Sequence, residues 1–105
     1  MLDPGFGFGK AYDNNYPLLA HLDELLTLGR PLLAGVSRKS FLARTLARVQ
    51  PHSHTDRPVS ETSRETASIA ALVTAILHGA SIVRVHQVQA AVEAAAIADA
   101  VLAAR

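Results

Sequence analysis

The chain has 105 residues, 50% hydrophobic and 18% charged, with a formal net charge of +1. That composition belongs to one folded domain, and its near-neutral balance gives no reason to expect nucleic acid or an anionic membrane as partner. Cysteine is absent, which excludes disulfides, thiolate metal sites and a cysteine nucleophile.

The first five residues, Met1-Leu2-Asp3-Pro4-Gly5, carry neither the basic nor the apolar region of a secretory signal. The longest apolar stretch, residues 69–77, is too short to span a membrane. The expectation is a cytoplasmic protein. If a strand precedes Asp3-Pro4-Gly5, only Leu2 remains of it. Pro17 suits a first helical turn, with Asn14 or Asn15 as cap. Leu18, Leu19, Leu22, Leu25 and Leu26 then trace one apolar stripe, which Gly29 and Pro31 bring to an end.

Residues 31–36 form an apolar run too short for a helix, which predicts a buried strand ending at Ser37-Arg38-Lys39-Ser40. A short helix follows over 41–49. Residues 50–60 hold two prolines and two histidines without periodicity, which predicts a long loop. Thr62-Ser63-Arg64-Glu65 has the spacing of a capping box and starts a helix that reaches Gly79. Residues 81–86 read as a second strand, and 88 to about 104 as an alanine-rich helix. On that helix Val88, Val92 and Leu102 lie on one face, with Ile97 and Val101 nearly opposite, so two neighbours are expected. Strands alternating with helices indicate βαβ units and a parallel sheet, an α/β fold.

In parallel α/β folds ligands sit at the C-terminal ends of strands. That rule selects Asp3 with the loop Gly5-Phe6-Gly7-Phe8-Gly9-Lys10, then Ser37-Arg38-Lys39-Ser40, then Arg84 with His86. A carboxylate accepts paired N–H donors from a heterocycle, cations hold phosphoryl oxygens, and phenylalanine supplies an apolar wall. Each cluster also has a structural explanation. Asp3-Pro4-Gly5 could be a turn, Arg38 and Lys39 a solvated helix start, and His86 a hydrogen-bonded structural histidine. Other motifs fail. Gly9-Lys10 has Pro4 where a P-loop needs its first glycine and Ala11 where it needs Ser or Thr. The glycines at 5, 7 and 9 miss the dinucleotide spacing, and Lys39 stands where a nucleophile elbow needs glycine. His52 and His54 have no clear third ligand for a metal.

Three motifs in order, Leu-Asp-Pro-Gly-Phe-Gly-Phe-Gly-Lys at 2–10, Gly-Val-Ser-Arg-Lys-Ser at 35–40 and Ile-Val-Arg-Val-His at 82–86, resemble the dihydropteroate synthase family. Asn15-Tyr16 and His78-Gly79-Ala80 extend the likeness along essentially the whole chain. The resemblance implies part of a TIM (β/α)8 barrel, with residues 1–105 as its C-terminal βα units 6 to 8 and strand 6 nearly absent. A whole barrel takes about 250 residues.

It implies an enzyme, a transferase of folate biosynthesis that condenses p-aminobenzoate with a dihydropterin bearing a pyrophosphorylated hydroxymethyl group. By resemblance, Lys39 and Arg84 are the catalytic residues. Asp3 accepts hydrogen bonds from the pterin ring, and Lys39 contacts the pterin near the aminobenzoate. Phe8 and Ser37 border the aminobenzoate pocket, which also admits sulfonamide-type analogues, and Arg84 and His86 hold the phosphate end. The family uses magnesium, whose ligand is not in this chain, so no metal ligand is assigned here. A homodimer through the C-terminal helices is also implied. Two departures stand out: Gln87 replaces a usual Asp, and Glu65 a usual small residue, the latter explained by its capping-box place. The alternative reading is an inactive truncated fragment that acts only as a self-associating helical module, and the isolated chain is expected to be inactive.

Overall fold

Leu32 and Ala34 are buried and Leu33 between them is half-buried, as the side-chain period of a strand requires, and burial continues through Gly35 and Val36. The computed structural model describes residues 1–5, 12–37, 39–49 and 60–105. Its elements run α1 (Tyr12–Ala20), a 3-10 helix (Leu22–Leu28), β1 (Leu32–Ala34), α2 (Ser40–Val49), α3 (Glu61–Leu77), β2 (Ala80–Val83) and α4 (Val88–Ala103). The loop predicted over 50–60 lies, but for Ser60, outside the described residues. No helix of the described residues is long and apolar enough to cross a membrane.

β1 and β2 pair in parallel. Leu32 pairs with Ala80, Leu33 with Ile82 and Ala34 with Val83, so Ser81 is an extra residue that advances β2 by one position. Leu2 lies on the other side of β1 as a one-residue parallel bridge. Its N–H donates to the Pro31 carbonyl at 2.7 Å, and its carbonyl accepts from the Leu33 N–H at 2.7 Å. The expected α/β class and parallel pairing are therefore present. Both strands are shorter than the sequence predicts, ending at Ala34 and Val83, with one further hydrogen bond beyond them from the Arg84 N–H to the Ala34 carbonyl.

The first helical region departs from expectation. α1 starts at Tyr12 and holds Pro17 inside it, so Pro17 is not a first-turn residue. A proline there removes one i to i−4 hydrogen bond. The α-helix ends three residues later, and the leucine stripe continues as the 3-10 helix with Leu22 fully buried. Gly29 closes that helix as anticipated. Its φ is +72° and its N–H donates to the Leu26 carbonyl. Asn15 is buried within α1 and is not a cap.

α3 also starts earlier than the proposed capping box. Ser60 is its N-cap, and the Ser60 Oγ accepts from the Ser63 N–H at 3.0 Å. Thr62 and Glu65 thus lie within the helix, and Glu65 lines a small internal cavity with Arg84 and Gln87. Two core clusters meet on α3. Ala71 and Ala75 pack with Leu19, Leu22, Leu32, Val36, Phe41 and Leu42. Leu72 and Ile76, one position round the helix, pack with Ala91 and Ala98 of α4.

Of the branched residues on the two expected faces of α4, Leu102 alone packs against α3. Ala91, Ala94, Ala95, Ala98 and Leu102, spaced i, i+3, i+4, i+7 and i+11, turn toward α3. Val88 and Val92 on one flank, and Ile97 and Val101 on the other, are exposed. Alanines let the two helices approach closely, and that approach excludes the larger side chains from the contact. At the far end of α3, Gly79 has a φ of +110°, and a Cβ there would lie 2.7 Å from the Leu26 Cδ1.

Candidate active-site cleft

The three strand-end segments converge because β1, β2 and Leu2 run in parallel. Asp3, Gly35, Ser37, Lys39, Arg84, Val85 and His86 line one cleft of about 490 Å³. Of the six residues expected at the site, Asp3, Ser37, Lys39, Arg84 and His86 are therefore brought together. Phe8 lies outside the described residues.

Asp3 serves two of the alternatives at once. Its Oδ1 accepts from the Gly5 N–H at 2.9 Å, closing a turn in which Gly5 takes a φ of +74°. Its Oδ2 faces the Arg84 Nη1 at 3.6 Å. The turn is real, and it aims the second carboxylate oxygen at a cation. With side chains 55% and 40% exposed for Arg84 and Asp3, the pair itself is worth at most about 1 kcal/mol. Its value lies in geometry. The carboxylate retains free lone pairs and the guanidinium free donors, so both can still serve a ligand.

Arg84 is fixed from two sides. Its N–H donates to the Ala34 carbonyl at 3.1 Å, which continues the pairing of β2 with β1. Its guanidinium lies over Gly35, where an added Cβ would stand 3.0 Å from the Arg84 Cζ. Gly35 was missed as a functional residue. A lone glycine between Ala34 and Val36 in a buried strand was the available signal, since it marks close approach by another group.

His86 and Ser37 form the other link. The His86 Nδ1 lies 2.8 Å from the Ser37 Oγ, across 49 residues of sequence. His86 thus has a hydrogen-bond partner and also lines the cleft. Gln87 does not reach the cleft. It is the N-cap of α4, with extended backbone and no side-chain cap hydrogen bond, and it lines the small cavity behind Arg84.

The cleft therefore joins one carboxylate, an arginine, a lysine, an imidazole and a hydroxyl at the ends of parallel strands. The family model described as "Pterin binding enzyme" matches residues 1–86, the stretch that carries all of these groups. The chain belongs to this family. It is 42% identical to a dihydropteroate synthase of Escherichia coli over 105 residues, all of this chain and 33% of that relative. It is 46% identical to a dihydropteroate synthase of Mycobacterium leprae over 94 residues, 90% of this chain and 31% of the relative. A Yersinia pestis dihydropteroate synthase solved with a pterine-sulfa conjugate superposes with a TM-score of 0.85 at 44% identity, over 99% of this chain and 37% of that one. A Xanthomonas albilineans dihydropteroate synthase in complex with 7,8-dihydropteroate gives a TM-score of 0.79 at 42% identity, over 96% and 36% of the two chains. The chain thus spans about a third of the length of the family members it matches.

Proposed function

We propose that the chain supplies the C-terminal part, βα units 6 to 8, of a (β/α)8 dihydropteroate synthase, and with it one wall of that enzyme's active site. The single observation that carries this reading is the convergence of Asp3, Ser37, Lys39, Arg84 and His86 on one cleft at the strand ends. The reaction joins p-aminobenzoate to a pterin that bears a pyrophosphorylated methylene. The aromatic amine attacks the methylene carbon, the carbon–oxygen bond breaks, and pyrophosphate leaves with the bonding electrons. The amine then releases a proton to solvent.

Asp3 accepts hydrogen bonds from the pterin ring in this reading. Arg84 and His86 hold the pyrophosphate and stabilise the charge that it gathers on leaving. Lys39 stands between the two substrates and contacts both, and Ser37, with Phe8, borders the p-aminobenzoate or a sulfonamide in its place. Orientation supplies most of the acceleration, since the chemistry needs two reactants aligned and a leaving charge stabilised.

A magnesium ion belongs to the same reading. In the same reading the ion's protein ligand lies outside this chain, and Asp3 is engaged by Gly5 and Arg84. The reading also takes the reaction to be cytoplasmic, and it pairs two copies of the chain through the exposed valines and isoleucine of α4.

The test is a chimera in which this chain replaces the matching third of the Escherichia coli relative. The chimera is expected to form dihydropteroate, and its Lys39→Ala and Arg84→Ala variants to lose most of that turnover. A chimera that melts cooperatively and binds p-aminobenzoate yet forms no product would overturn the reading.

A further inference from the structure

Ser37 is only 7% exposed, and the ring of His86 is the one hydrogen-bond partner of its side chain among the described residues. From this we infer that Ser37 is a positioning residue, which holds the neutral His86 imidazole with its proton on Nε2. The deduction runs through the hydroxyl hydrogen. If the ring carried its proton on Nδ1, it would donate to the Ser37 Oγ, and the largely buried serine hydrogen would be left without an acceptor among the described residues. An unpaired buried donor costs about 1–3 kcal/mol. With the proton on Nε2, the serine donates to Nδ1 and no group is orphaned.

The ring then presents an N–H to the cleft it shares with Arg84 and Lys39. An anion gains a donor there instead of facing a lone pair. Ser37 thereby acts at the phosphate end through His86, in addition to bordering the p-aminobenzoate pocket. This inference deepens the synthase reading and rests on it for the identity of the anion. The tautomer does not depend on that reading.

The experiment uses the whole 105-residue chain with its histidine rings labelled with nitrogen-15. The ring signals of His86 are assigned by their loss in His86→Asn, and they are measured above the pH of imidazole protonation. The expected result is a bare Nδ1 and a protonated Nε2 in wild type and in Ser37→Thr, with a mixture of tautomers in Ser37→Ala. Inorganic pyrophosphate is then the probe, and Ser37→Ala should weaken it by about threefold to tenfold, the worth of one hydrogen bond, while Ser37→Thr leaves it near wild type. A wild-type ring protonated on Nδ1, or a tautomer unchanged in Ser37→Ala, overturns the inference whatever binds. A correct tautomer in a chain that binds no pyrophosphate leaves the positioning role standing and counts against the anion site.

Discussion

At the scale of single residues, Gly35 and Arg84 form one unit, because the guanidinium occupies the space a side chain at 35 would fill. Gly35→Ala should push the guanidinium away from Asp3 and cost anion affinity while leaving the fold intact. The check is pyrophosphate titration alongside a thermal melt, and lost stability with unchanged affinity would refute it. Arg84→Ala should act selectively. In the chimera it is expected to weaken pyrophosphorylated pterin by about 1.5–3 kcal/mol, the worth of hydrogen bonds to a charged group, and free hydroxymethyl pterin much less. Lys39→Ala should damage binding of both pterins and of p-aminobenzoate. Calorimetry on the three proteins decides, and equal weakening of the two pterins by Arg84→Ala would return Arg84 to a structural role. Much of this site was legible in the sequence, because parallel strands deliver their C-terminal residues to one place. Gly35 was not, since its contribution is the lack of a side chain.

At the scale of elements, the helices were visible and their starts were not. The 60–65 segment offers several hydroxyls, and only the backbone at Ser60 leaves one of them free to receive the Ser63 N–H. Pro17 misled for a similar reason. It looks like a first-turn residue, but the helix begins five residues before it and ends three after. The observed caps carry predictions of their own. Ser60→Ala should lower stability by about 0.5–2 kcal/mol, the ordinary cost of losing an N-cap. Gln87→Asp should raise it by about 1 kcal/mol, because the extended backbone at 87 suits a capping carboxylate that glutamine does not provide. Chemical denaturation midpoints measure both, and a neutral Gln87→Asp would show that its carboxylate does not reach the α4 amides. The departure at Gln87 is thus a matter of helix capping more than of the cleft.

At the scale of the whole molecule, α4 decides how the chain behaves in solution. Its alanines are spent on α3, while Val88, Val92, Ile97 and Val101 face outward. The periodicity correctly showed apolar residues on two sides. It could not show that the small residues between them would make the contact, because alanine gains its packing from closeness instead of size. Self-association is therefore expected. Sedimentation should show dimers or larger species that Val92→Lys with Ile97→Lys disperse, and a compact monomer at every concentration would contradict it. The 105-residue chain by itself should give no synthase turnover above a Lys39→Ala control, since in the proposed reading it supplies one wall of the active site. Measurable turnover would contradict that reading.

The extra residue in β2 gives the cleft a position-dependent sensitivity to chain length that no substitution scan would reveal. Ser81 is exposed and lies between Ala80, paired with Leu32, and Ile82, paired with Leu33. Replacing it with alanine or threonine should be nearly silent. Removing it would set those two pairs next to each other in ordinary register, so Arg84 and His86 should keep their faces. Removing Val83 is a different matter. Arg84 would move to the place opposite Ala34, and the side chains beyond would exchange faces. In a library of single-residue deletions scored for pyrophosphate binding, loss of Val83 should rank with loss of Arg84 itself, and loss of Ser81 should be far milder.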